Sequence, residues 1–181
     1  MASHVCVLDT SALVDFKSLI PVSEQWSAFK TMEQMVLDGS IAMPRQVLTE
    51  ASEVAHPDMP GAWAAGQRKL LVHPLDAAVD PYVKHVMSVA GDVVEAGKDA
   101  EEADPYVVAL ALEIANAGYE VCVVTSDRVD HGQIKIALAT ACDRLGVKVS
   151  SPPDFLTSKC GVACKSTPKH PSADTAKLED A

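Results

Sequence analysis

Residues 101–127, EEADPYVVALALEIANAGYEVCVVTSD, decide how this chain folds, because they read as a helix feeding a buried strand with a carboxylate at each entrance. Asp104 precedes Pro105, which suits the start of a helix, where its missing N–H has no partner to lose. The spacing predicts Asp104 as the N-cap. Val108 and Ala111 follow it at helical intervals, so the segment starts on an inward face. Asn116-Ala117-Gly118 ends the helix. Glu120 to Thr125 then runs apolar and β-branched, as a strand covered on both faces does. Asp127 sits just past its C-terminal end, the edge at which open parallel sheets hold their ligands.

Outward from this unit the pattern recurs. His4 to Asp9 contains the buried strand Val5-Cys6-Val7-Leu8, and Asp9-Thr10-Ser11 supplies capping oxygens for a helix from near Ala12. Ser23 to Leu37 is a second helix, with Ser23, Trp26, Phe29 and Met32 at helical spacing and Asp38-Gly39 as its stop. A brief strand, Ile41 to Met43, leads to a helix opened by Pro44, whose apolar stripe is Val47, Leu48, Ala51, Val54 and Ala55. Glu50 falls at the edge of that stripe, whereas Glu53 points away from it as a solvated charge should. His56-Pro57-Asp58 breaks the chain before a helix from Gly61 to Leu70 carrying Trp63, and Leu71-Val72 reads as another short strand. An amphipathic helix covers Pro81 to Glu95, and a further helix is expected over Gly132 to Leu145, through Ile134, Ala137, Leu138 and Ala141. Val147 to Val149 reads as the last strand and Pro153 to Leu156 as a closing turn. From Thr157 onward Ser, Thr, Lys, Pro and Ala dominate. The expected division is therefore a domain over 1–156 and a disordered tail over 157–181.

At 181 residues the chain suits one α/β domain with a central, mainly parallel sheet. Aromatics at 4% leave few rings for stacking bases. No apolar run approaches the roughly 20 residues of a membrane span, and no signal-like segment opens the chain, so a soluble, cytoplasmic protein is expected. Cys6, Cys122 and Cys142 lie in apolar patterns and read as buried free thiols. Cys160 and Cys164, with His170 nearby, make half of a zinc pattern without a convincing fourth ligand. The net charge is −10, and the tail holds four of the lysines, leaving 11 basic against 22 acidic residues before position 157. Such a body argues against nucleic-acid binding by a broad basic face. It leaves open a metal-dependent site, where bound cations reverse the local sign.

The acids at strand ends and cleft-facing helix edges are Asp9, Glu50, Asp104 and Asp127. Singly, each has a plainer role as a cap, a turn or a surface charge. A right-handed parallel sheet, however, brings these ends to one edge. Two carboxylates 4 Å apart repel by about 4 kcal/mol at an effective dielectric of 20. Hard divalent cations remove that penalty, and Mg²⁺ or Mn²⁺ prefers such an all-oxygen environment. Two ions ~3.5–4 Å apart activate a water and stabilise the attacking and leaving oxygens of a phosphodiester.

The strand-plus-Asp start VCVLDTSALVD, the helix PRQVLTE ending on Glu50, the EEADPYVVALALEIA segment and VCVVTSD resemble, in that order, the PIN-domain ribonucleases, which include the toxins of VapBC-type toxin–antitoxin pairs. The match covers most of residues 4–156 and looks most like a less characterised PIN-like branch. The resemblance implies a three-layer α/β/α fold and a Mg²⁺- or Mn²⁺-dependent endoribonuclease, with Asp9, Glu50, Asp104 and Asp127 as catalytic metal-site acids. It also implies Ser11 and Thr125 as supporting hydroxyls, RNA as substrate, a homodimer and an antitoxin partner. Asp130 is a possible accessory acid, with helix capping its favoured role, and His131 beside it reads as a solvated helix-start histidine.

Alternatives fare worse. A haloacid-dehalogenase-type phosphatase needs a second acid two residues after Asp9, where Ser11 stands; a response-regulator receiver needs an acidic pair and a late-strand lysine that are not placed here. No glycine-rich phosphate loop occurs. The serious rival is a PIN-like fold turned into a non-catalytic protein-interaction module.

Overall fold

The computed structural model describes residues 4–52, 58–69, 80–97 and 102–165. Their centre is a four-stranded, all-parallel sheet of β1 (His4–Leu8), β2 (Ile41–Ala42), β3 (Glu120–Val124) and β4 (Lys148–Ser150), in the order β2-β1-β3-β4. The two central strands are five residues each and pair along their full length, from His4 with Glu120 to Leu8 with Val124. Both are continuous apolar runs because helices cover both sheet faces.

The covering helices are α1 (Thr10–Leu19), α2 (Val22–Leu37), α3 (Arg45–Ser52), α4 (Met59–Gln67), α5 (Asp80–Ala90), α6 (Asp104–Asn116), α7 (Leu138–Arg144) and α8 (Pro152–Cys160), with a 3₁₀ turn at Gly91–Val93. In one layer α1 packs against α3, α4 and α8, while α2 meets α4 and α8. In the other, α6 lies on β1 and β3 between α5 and α7. The result is the expected three-layer α/β/α architecture. Although aromatic residues are few, they are concentrated: Phe16 stacks on Phe155 at 5.7 Å, and Phe29 meets Trp63 at 5.6 Å. These pairs join α1 to α8 and α2 to α4.

The central unit folds as its sequence predicts. Val107 to Ala111 of α6 are all buried, so this half-helix is wrapped on every side. It stops where Gly118 takes φ 92° and the Tyr119 N–H reaches back to the Ile114 carbonyl at 3.4 Å. One detail differs: Asp104 is the first helical residue, Ala103 is the N-cap, and no side chain caps this end.

Several expectations need correction. The helix expected over 132–145 begins only at Leu138. Gly132 sits at φ 63°, and His131 forms an isolated bridge with Lys135, so residues 131–137 run irregularly and Ile134 stands 65% exposed. The closing turn is instead helix α8, with the Ser151 hydroxyl accepting from the Asp154 N–H. Residues 157–160 thus belong to a helix, Val162 is buried and the Lys165 N–H reaches the Leu19 carbonyl, so the boundary expected at 156 falls inside folded chain. Trp26 is exposed, with the Lys30 ammonium 5.6 Å from its ring centroid. Finally, α5 ends at Ala90 in the 3₁₀ turn. Glu53, the 71–72 strand, His170 and the tail beyond 165 lie outside the described residues. Among the described residues no helix is long and apolar enough to cross a membrane.

Candidate functional site

Because all four strands are parallel, their C-terminal ends share one edge, and there the sequence-predicted acids stand. Asp9 follows β1 directly and caps α1: its carboxylate accepts the N–H groups of Thr10 at 2.7 Å and Ser11 at 3.3 Å. The hydroxyls of Ser11, at 2.5 Å, and Thr125, at 2.8 Å, donate to its Oδ2. Each hydroxyl, its single proton committed to Asp9, accepts a backbone N–H in turn, from Ser126 onto Ser11 at 3.1 Å and from Asp127 onto Thr125 at 3.0 Å. The turn after β3 is thereby fastened to the end of β1. Ser11 and Thr125, the two hydroxyls singled out in the sequence, here both hold the Asp9 carboxylate. Asp9 is 3% exposed, and burial holds its pKa above the usual carboxylate range despite these donors.

Asp104 enters from the start of α6. Burial pushes its pKa up to about 6; the Lys135 ammonium at 2.8 Å opposes the shift, and the charges of Asp9 and Asp127 add to it. Two of the predicted acids, Asp9 and Asp127, therefore lie within electrostatic reach of a third, Asp104. Burial would lower the pKa of Lys135, but Asp104 and Glu102, the latter at 3.2 Å, outweigh it and hold it up. Above about pH 6 the pair is ionic.

Glu50 joins from α3. Its Oε2 accepts from the Thr10 hydroxyl at 2.5 Å, and its Oε1 accepts the Ala103 N–H at 2.9 Å, one residue before Asp104. It thus bridges the start of α1 to the start of α6. Asp127 has two roles: Oδ2 accepts the first N–H of α7, from Leu138, at 2.9 Å, and Oδ1 faces His131 Nε2 at 3.2 Å. Asp130 proves to be a fastener of the helix start, as favoured, accepting from the Ala137 N–H and the Thr140 hydroxyl, which lower its pKa. Its helix simply starts later than expected.

Lys135, Glu102 and Asp15 went unnoticed in the sequence, and Thr10 was read only as a capping oxygen. Asp15 accepts from the Ser126 hydroxyl at 2.5 Å and stands one helical turn beyond Ser11, a spacing that could have marked it. Lys135 carried no such mark, because its place depends on residues 131–137 not being helical.

Carboxylate oxygens from Asp9, Glu50, Asp104 and Asp127, two of the groups raised in pKa and Asp104 paired with the Lys135 ammonium, are donors of the kind hard divalent cations take. They are not drawn into a tight ligand shell: among the described residues the group of at least three potential ligands lying within 4.8 Å of one another is His4, Cys6 and Cys122. That cluster, which the sequence presented only as buried thiols, could hold a metal ion. It lies along β1 and β3, before the acidic edge.

A family profile described as a domain of unknown function, DUF4411, matches residues 6–160. No curated protein and no solved structure matches the chain.

Proposed function

The chain belongs to the DUF4411 domain family, and we propose that it is a divalent-cation-dependent ribonuclease hydrolysing RNA phosphodiester bonds at the C-terminal edge of its parallel sheet. The observation that carries this reading is the convergence of Asp9 and Asp127 on Asp104, close enough for their charges to act on it, with Lys135 as the adjoining cation. A fold that needed only caps would have no reason to place these carboxylates together in partly buried surroundings.

Asp9, Glu50, Asp104 and Asp127 would hold Mg²⁺ or Mn²⁺, which when bound supplies charge neutralisation and Lewis-acid polarisation at the phosphoryl group. The protein's part is positioning. Asp9 is fixed by four donors, so its orientation costs nothing further when substrate arrives. Glu50 is aligned by Thr10 and the Ala103 N–H. Lys135, released from Asp104, leaves an ammonium beside the phosphate charge. Arg128, next to Asp127, lines an open concavity with Lys148 and Asp143, and its two cations against one acid would accept the RNA backbone locally on an otherwise acidic body. A toxin role, with an antitoxin or a second copy covering apolar residues such as Val14, Val22 and Trp26, which stand exposed on α1 and α2, extends the same proposal.

Lys135 also favours a second reading. An ammonium built onto Asp104 and Glu102 could serve as the permanent counter-ion of a non-catalytic interaction module. Incubating the full chain with single-stranded and structured RNA, with Mn²⁺, Mg²⁺ or chelator, separates the two. A nuclease cleaves only with the ion and loses about 100-fold or more in rate with Asp104→Asn. Cleavage that ignores both the chelator and the substitution, or no cleavage under any of these conditions, sinks the proposal.

A further inference from the structure

Away from the acidic edge, the sheet carries a second group of chemistry-bearing residues. His4 and Cys6 are two apart on β1 and so share a sheet face, and Cys122 on β3 is the register partner of Cys6. The pairing of two central strands therefore places two sulfurs and an imidazole side by side. Cys6 Sγ and Cys122 Sγ lie 3.5 Å apart, His4 Nε2 is 3.6 Å from Cys122 Sγ, and one donor atom from each residue lies within 4.8 Å of the other two. Asp9 follows Cys6 by three residues, about 10 Å along the strand, and points to the opposite face.

We propose that His4, Cys6 and Cys122 form a binding site for a thiophilic metal ion of the Zn²⁺ class, separate from the acidic edge. Tetrahedral zinc, with bonds of ~2.3 Å to sulfur and ~2.0–2.1 Å to nitrogen, sets its ligand atoms roughly 3.8 Å apart for two sulfurs and roughly 3.6 Å apart for sulfur and nitrogen. The sulfur–sulfur and imidazole–sulfur separations here are already close to those edges, so little rearrangement is needed. Glu120, the register partner of His4, brings Oε2 to 3.7 Å from His4 Nδ1, so a carboxylate stands beside the ring nitrogen that does not face the sulfurs, where it can orient the imidazole toward a metal. Metal binding displaces the thiol protons of Cys6 and Cys122 to solvent. His4 is 32% exposed, which gives the ion a route in from the N-terminal end of the strands. Three protein ligands leave the fourth position of the tetrahedron to a water. Two thiolates with one dication are locally neutral, which suits a site lined by half-buried and buried side chains. Hard Mg²⁺ and Mn²⁺ prefer oxygen and leave these sulfurs alone.

The reduced, chelator-stripped full chain can be titrated with Zn²⁺ against a chromophoric chelator, and with Co²⁺ read by absorption. The expected result is about one Zn²⁺ per chain and a sulfur-to-cobalt charge-transfer band. Both should be lost in Cys6→Ser and Cys122→Ser and kept in Asp9→Asn. Because the cysteines are core residues, His4→Ala supplies a variant at a partly exposed position; it should weaken Zn²⁺ binding by about 10-fold or more while the circular dichroism spectrum stays unchanged. Absence of Zn²⁺ binding by the folded, reduced chain overturns the proposal. So does binding without the sulfur band, or binding undiminished in His4→Ala.

Discussion

Asp104 shows how one side chain can be read correctly in place and wrongly in role. The Asp-Pro pair at a helix start suggests a cap, yet the carboxylate turns to Lys135 and no side chain caps α6. Its pKa, raised from 3.8 to about 6 chiefly by burial, means that the folded chain takes up a proton more readily than the unfolded one. That contribution to stability is complete below about pH 4 and is lost as pH rises through about 6, up to about 3 kcal/mol. Urea unfolding of the metal-free chain between about pH 4 and 7 should therefore show wild type losing stability relative to Asp104→Asn, whose amide cannot ionise. Parallel pH profiles would contradict the electrostatic picture. At Asp9 the concern is hydrogen bonding. Ser11→Ala removes a donor to a buried carboxylate and the acceptor of the Ser126 N–H, so it should destabilise the fold by about 1–3 kcal/mol in chemical denaturation. A neutral result would show that water substitutes there. Both residues could be picked from the sequence as acid and hydroxyl, but the direction of each hydrogen bond could not.

The elements that the sequence revealed best are those whose signal is self-contained. β1 and β3 are unbroken apolar runs and α6 is a long apolar helix with a glycine stop, so each could be bounded within a residue or two. The segment 131–137 misled because Ile134, Ala137, Leu138 and Ala141 mimic helical spacing. In the fold, Asp127 and Asp130 hold the Leu138 and Ala137 N–H groups, so the helix starts there. Trp26 shares helical spacing with Phe29 and Met32 yet stands outside their stripe. Steps of three drift by about 60° around a helix, and the buried stripe of α2 is Ala28, Phe29, Met32 and Val36. Gly132→Ala gives a test by sign. In a helix this change stabilises by about 0.5–1 kcal/mol, whereas at φ 63°, with open space around a new Cβ, it should destabilise through backbone strain alone. A rise in melting temperature would restore the longer helix. The closing helix was recoverable, since Ser151-Pro152-Pro153-Asp154 carries the capping serine and first-turn prolines.

What no single stretch could show is how strand order gathers residues far apart in sequence. Parallel pairing of β1 with β3 brings Asp9 against Thr125 and Asp127 to the same edge, and the same register sets Cys6 against Cys122, which linear spacing hides completely. The acids were legible because each stands at the end of an element, whereas the His4, Cys6 and Cys122 group needed the register itself. Charge acts at this level too. With a net charge of −10, RNA binding relies on a few local cations, so Arg128→Ala should weaken RNA affinity measured by filter binding at low salt, by about 1 kcal/mol, without altering the fold. Unchanged affinity would place the RNA path elsewhere. The central claim concerns the acidic edge, and calorimetric titration of the chelator-stripped chain with Mn²⁺ tests it most directly, in wild type, Asp9→Asn and Asp104→Asn. Saturable Mn²⁺ binding in wild type that is lost in both folded variants is the predicted result. No saturable binding in wild type, or binding unchanged in both variants, would contradict a cation held by these acids.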